Sequence, residues 1–144
     1  MEETTIESLT SRIVLSTPGR GFTEISDELR ESLRSSGVQS GLLHVFLRHT
    51  SASLLLTENA DPDVRHDLES FISRLAPDGD PAYIHRAEGP DDMPAHIRSV
   101  LTSSELSLPV RDGRLALGTW QGVYLWEHRH RPHRRSLDIT IIGK

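Results

Sequence analysis

Between His85 and His96 the chain gathers two imidazoles and the carboxylates of Glu88, Asp91 and Asp92 in a glycine- and proline-bent segment able to fold back on itself. Cysteine is absent, so a metal ion here must be held by His, Asp or Glu, and thiolate, iron–sulfur and zinc-finger chemistry are excluded. A catalytic divalent ion takes three protein ligands and keeps one position open for water or substrate. His85 and His96 supply two of them. The third is either His49, delivered by the fold, or a nearby carboxylate such as Glu88 or Asp92. A separation of eleven residues fixes no geometry, unlike a His-Glu-x-x-His helix.

Three other places carry reactive groups. His49 sits at the end of an apolar strand pattern, followed by the small polar residues Thr50 and Ser51, where it either caps a turn or serves a site. Glu58, Asn59 and Asp61 stand at the entrance to a helix, where free backbone N–H groups favour an anion. Capping accounts for Asp61 but not for Glu58 or Asn59. Glu127 shares the parity of Val123 and Leu125, and an unpaired carboxylate on that apolar face is costly, so it either pairs with an arginine or acts as an orienting group or general base. Trp120, beside Gln121, stacks on a flat substrate or packs in the core. His44, inside a strand, is expected to be a structural imidazole, and His66, His130 and His133 to be solvated.

The elements that must position these groups follow from periodicity. A first strand is expected over Thr4–Leu15, then a turn at Pro18–Gly21 and a helix with Ser26 as N-cap, Leu29 and Leu33 inward and Gly37 as its stop. Leu42–Arg48 reads as a strand with Leu43, Val45 and Leu47 on one face, and Ser53–Thr57 as its continuation or hairpin partner. Asp61 and Pro62 open a second helix with an apolar stripe of Val64, Leu68, Phe71, Ile72 and Leu75. A third helix runs from about Pro94 to about Leu101 after an Asp91–Asp92 cap. Asp112-Gly113 marks a hairpin between Leu106–Val110 and Arg114–Leu117. Trp120–Glu127 and Leu137–Ile142 are expected to form a final strand pair. The result is an α+β fold, one compact domain over residues 1–144, with a mostly antiparallel, sandwich-like sheet and about three helices.

Composition narrows the function classes. With 35% hydrophobic and 26% charged residues in 144, a folded core is expected. No apolar run approaches the roughly 20 residues needed to span a bilayer, and Met1–Thr5 lacks the layout of a secretory signal, so no membrane partner and a cytoplasmic location are expected. A net charge of -5 disfavours general nucleic-acid binding. The exception is the basic run His128–Arg135, which is either a solvated loop or an anion-capturing one; nucleic-acid binding through Arg129, Arg131, Arg134 and Arg135 would depend steeply on salt.

Four runs, in order, carry a resemblance: Leu43-His-Val-Phe-Leu-Arg-His-Thr-Ser-Ala-Ser53, Glu58-Asn-Ala-Asp-Pro-Asp63, Glu88-Gly-Pro-Asp-Asp-Met-Pro-Ala-His-Ile97, and Gly118-Thr-Trp-Gln-Gly122 with Glu127-His128. Together they resemble the YjbQ family. That resemblance implies a sandwich-like domain, a homotrimer and a divalent metal near the histidines. It also implies a transferase activity as a secondary thiamine-phosphate synthase, joining a pyrimidine diphosphate to a thiazole phosphate with release of pyrophosphate. The positions matching its pattern are His49, Glu58, Asn59, Asp61, His85, Glu88, His96, Gln121 and Glu127. We therefore expect His49, His85 and His96 around the ion, with Glu58, Asn59, Asp61 and Glu127 in catalysis. Thr50, Ser51, Glu88, Gly89, Trp120 and Gln121 are expected on a phosphorylated small-molecule substrate. Zinc is the expected ion, although the same donors serve manganese, nickel and iron. The alternative is a non-catalytic trimeric module that binds metal and a phosphometabolite.

Overall fold

A computed structural model describes residues 5–144. Its elements are β1 (Glu7–Thr17), β2 (Gly21–Glu24), α1 (Ser26–Ser36), β3 (Gly41–Leu47), β4 (Ala52–Glu58), α2 (Pro62–Leu75), α3 (Asp92–Leu101), β5 (Glu105–Arg111), β6 (Arg114–Leu115), β7 (Gln121–Glu127) and β8 (His133–Gly143). Thr4, the expected start of the first strand, lies outside the described residues. The strands form two antiparallel sheets, ordered β1-β8-β3-β5-β6 and β2-β7-β4. This is the expected α+β architecture with three helices.

Strict alternation builds the core. Leu43, Val45 and Leu47 of β3 and Leu137, Ile139 and Ile141 of β8 face Ala52 and Leu54 of β4 and Val123 and Leu125 of β7, all buried in one cluster. Each such leucine or isoleucine contributes about 1.5–3 kcal/mol by leaving water. Helix α1 adds Leu29 and Leu33, and its N-cap residue Ile25, to the same cluster and stops at Gly37, whose left-handed φ of 72° suits a residue without a Cβ. The Asp112-Gly113 turn closes the β5–β6 hairpin, with both residues at positive φ (52° and 72°).

Four local expectations are corrected. β7 and β8 do not pair: β7 lies between β2 and β4 in one sheet and β8 between β1 and β3 in the other, so the segment joining them crosses the sandwich. β4 likewise leaves β3 to pair with β7. Ser26 does not cap α1, because its hydroxyl donates to Glu24 and accepts from the Val123 N–H, fixing the helix to β7. In α2 only Ile72 of the apolar stripe is buried, while Phe71 and Leu75 remain exposed; the side facing the protein instead carries Glu69 and Ser73, which bind the fully buried Arg98 of α3.

Candidate metal centre

The crossing segment organises one end of the molecule. Glu127, last residue of β7, points between the sheets, where Arg135 of β8 and Thr17 of β1 meet it. Its carboxylate accepts from the Thr17 hydroxyl (2.7 Å), from Nε (2.8 Å) and Nη2 of Arg135, and from the backbone N–H groups of His128 and Arg129 (3.1 Å each). Burial opposes ionisation, but the hydrogen bonds from Arg135 and Thr17 outweigh it and hold the pKa below the ordinary glutamate value. Of the two alternatives open in the sequence, pairing with an arginine is the one observed.

His128 follows immediately after β7. It is fully buried, with Nε2 2.7 Å from Ser53 Oγ and Nδ1 without a partner. Burial, then the positive charge of Arg98, lowers its pKa to about 3. The unfolded chain takes up this proton near pH 6.5, so it binds more protons than the folded chain between that value and about 3. Stability from this group is complete above the ordinary histidine range and is lost as pH falls through the window. Urea midpoints at about pH 7 and about pH 5 should diverge in the wild type and converge in His128→Gln. Equal slopes in the two proteins would contradict this.

The next residue, Arg129, reaches away from the core to the segment before α3. Its Nε donates to Asp91 Oδ2 (3.0 Å), Nη1 to Asp92 Oδ1 (2.6 Å) and Nη2 to the Glu88 carbonyl (2.8 Å). The Asp91–Asp92 pair therefore does not cap α3 with its side chains as expected; the arginine has drawn both carboxylates aside. Asp92 is left with Oδ2 free of the arginine, and there His85 Nε2 (2.7 Å) and His96 Nε2 (3.2 Å) donate to it. His96 stands one helical turn after Asp92, on the same face of α3, which the i,i+4 spacing dictates. His85 arrives from the bent segment, and the two rings lie edge to face with centroids 5.4 Å apart.

These three ligand atoms lie within 4.8 Å of one another. Ligands at 2.0–2.1 Å around a tetrahedral ion stand about 3.3 Å apart, so the donor set would hold a small divalent cation once the 2.7 Å His85–Asp92 contact opens and the wider separation closes. A cavity of about 390 Å³, lined by His85, Tyr83 and Gly89 among others, opens beside it. Burial opposes ionisation of Asp92, but the His85 hydrogen bond and the charge of Arg129 prevail and keep its pKa below the ordinary aspartate value.

The remaining candidates fall elsewhere in the chain. His49 does not join His85 and His96: its Nε2 accepts the Ser136 N–H at 2.8 Å, beside the Glu127–Arg135 pair. Burial, then the Arg135 charge, lowers its pKa. Ser51 accepts from Arg135 through both its carbonyl and its hydroxyl, and Thr50 is exposed next to it. Glu58 and Gln121 are cross-strand partners at the far end of β4 and β7, about 20 Å from Ala52 and Glu127 at about 3.4 Å per residue. Asn59 and Trp120 lie at that far end too, joined through the Asn59 N–H and the Trp120 carbonyl; the indole is exposed. Asp61 caps α2 by accepting the Asp63 N–H, and Glu58 accepts the Asp61 N–H. One chain thus forms a histidine–carboxylate end and a separate Glu58–Trp120 end. His44 meets Glu105, and His66 is exposed beside Asp67. The sequence presents Arg129 only as part of a basic run for anions or nucleic acid; its pairing with Asp91 and Asp92 is missed there because these partners lie far back in the chain, and a basic run following an acidic one is the available signal.

A two-sheet α+β sandwich with two imidazoles and a carboxylate converging at one end defines a class of compact domain with a candidate metal centre. The chain belongs to the UPF0047 family: residues 11–144 match the model described as UPF0047 protein YjbQ-like. It is 49% identical over 132 residues to a UPF0047 protein of Synechocystis, covering 92% of this chain and 90% of that protein. To the UPF0047 protein YjbQ of Salmonella typhimurium it is 50% identical over 133 residues, covering 92% and 96%. Among solved structures, a conserved hypothetical protein of Thermus thermophilus superposes with a TM-score of 0.80 at 36% identity, covering 90% of this chain and 97% of that one. A protein of Sulfolobus solfataricus gives a TM-score of 0.88 at 22% identity, covering 97% and 100%, and shares the fold. Among the described residues no helix is long and apolar enough to cross a membrane.

Proposed function

We propose that the chain is a cytoplasmic, metal-assisted transferase acting on a phosphorylated small molecule. The activity resembles a secondary thiamine-phosphate synthase, in which a pyrimidine diphosphate joins a thiazole phosphate and pyrophosphate leaves. The observation that carries this reading is the convergence of His85 and His96 on one oxygen of Asp92, beside an open cavity. A divalent ion held there, zinc in this reading, would offset the charge of the departing phosphate groups. Arg129 is the positioning residue, since by taking Oδ1 of Asp92 it leaves Oδ2 turned to the imidazoles.

Glu58, Asn59 and Asp61, with Trp120 and Gln121, lie too far along the sheet to serve the centre of their own chain. In this reading they orient substrate and move protons at a neighbouring subunit's centre in a homotrimer, with Thr50, Ser51, Glu88 and Gly89 as further substrate contacts. Subunit mixing tests this: His96→Ala and Glu58→Gln should each be inactive alone and recover turnover when dissociated and reassembled together. Mixed assemblies that stay inactive would remove the shared site.

One observation favours a second reading, a non-catalytic trimeric module that binds metal and a phosphometabolite. Glu127, one of the carboxylates expected in catalysis, has its oxygens engaged by Thr17, Arg135 and the backbone N–H groups of His128 and Arg129. Turnover assays with and without chelator separate the two. A rate that chelator and His96→Ala both leave unchanged, with folding intact, favours the binding module.

A further inference from the structure

The basic run that closes the crossing segment faces a cavity of about 640 Å³, walled on one side by Glu88, Gly89 and Asp91 and on the other by Arg129, Arg131 and His133. Its charges are not equivalent. Asp91 is already answered by Arg129 Nε and by the His130 N–H (2.9 Å), and its pKa stays low despite burial because of those bonds. His130 is turned to Asp78, which is held from its other side by Arg20, so this pairing anchors the loop. Arg131 is different: among the described residues no carboxylate pairs with it, whereas Arg129 and Arg135 both have partners. His133 donates from Nδ1 to the Arg131 carbonyl at 2.7 Å, which ties the ring to the loop, and in the imidazolium form its Nε2–H donates to an oxyanion as well. A guanidinium without a counter-ion, an imidazole edge and a fixed loop around an open cavity form a recognition set for a compact oxyanion.

We propose that this cavity is an anion subsite, in which Arg131 and His133 bind a phosphate or pyrophosphate group of a small-molecule ligand. The subsite adjoins the metal centre through shared parts. Gly89 lines both this cavity and the one beside His85, and Arg129 walls the subsite while its Nη1 holds Asp92. A ligand seated here extends a second polar group to His85, Asp92 and His96; this extension rests on the proposed metal-assisted reading, whereas the anion site itself does not. Glu88 is the one wall charge that works against an anion, because its carboxylate is exposed and no cation pairs with it among the described residues.

Isothermal titration of inorganic pyrophosphate into the full chain, before and after chelator treatment, tests the proposal. The chelated wild type should bind; Arg131→Gln and His133→Gln should each weaken binding, the first by about tenfold or more. Glu88→Gln should strengthen it. Because Arg131 is exposed, its variant should keep the wild-type urea midpoint and divalent-metal affinity. Binding that is unchanged in Arg131→Gln, or that vanishes from the wild type with chelator, would overturn the subsite and place the anion elsewhere. A short single-stranded oligonucleotide binding more tightly than pyrophosphate, with steep salt dependence, would also overturn it by assigning the loop to nucleic acid. If the wild type binds no divalent metal but still loses pyrophosphate in Arg131→Gln, the metal reading fails and the subsite stands.

Discussion

His96→Ala should bind a divalent metal at least about a hundredfold more weakly than the wild type, given that orienting partners outside the ligand set alone are worth about 10–100-fold. The same loss is expected for His85→Ala and Asp92→Asn, because the three atoms act as one donor set around a single position. Folding should survive in the histidine variants, since both rings are part-exposed and pack at the edge of the domain. His49→Ala is the control. Its Nε2 is already occupied by the Ser136 N–H, so removing it should leave metal affinity unchanged. Titration of zinc into chelator-treated protein gives all four values. A loss in His49→Ala comparable to that in His96→Ala would show that the ligand set has been misassigned.

Glu127→Ala should cost about 3–5 kcal/mol in unfolding free energy, because it leaves the buried Arg135 charge without its counter-ion. The ion pair lies where β7 hands the chain across to β8, so its loss also frees the segment carrying His128 and Arg129. The double variant Glu127→Leu with Arg135→Met should recover much of that stability, since apolar pairs of similar volume replace buried ion pairs at little net cost. Urea denaturation distinguishes this from a role in proton transfer. A Glu127→Ala protein with wild-type stability and no turnover would point to chemistry instead of architecture.

Local patterns were legible where a single element decides the outcome. The alternation of Leu43, Val45 and Leu47, the Asp61-Pro62 helix start and the Asp112-Gly113 turn depend on neighbours within a few residues, and each forms as read. The expected pairing of β7 with β8 does not form: sequence adjacency favours hairpins, whereas Glu127 and Arg135 span the gap between sheets. The apolar stripe of α2 misleads for a related reason: Arg98, fully buried from α3, claims the inward side through Glu69 and Ser73. At the candidate centre, His85 and His96 were visible as a density of ligand-type residues, and Asp92 as one of several possible third donors. What selects Asp92 is Arg129, and no spacing rule connects an arginine to an aspartate so far back in the chain.

The most direct measurement is anomalous scattering from a crystal of the zinc-soaked full chain, collected on both sides of the zinc edge and paired with elemental analysis of the same protein. A single strong peak bound by His85, His96 and Asp92, with one zinc per chain in solution, is the predicted result. A fully folded protein with no peak at those three side chains, or with its zinc on other residues, would contradict the metal centre.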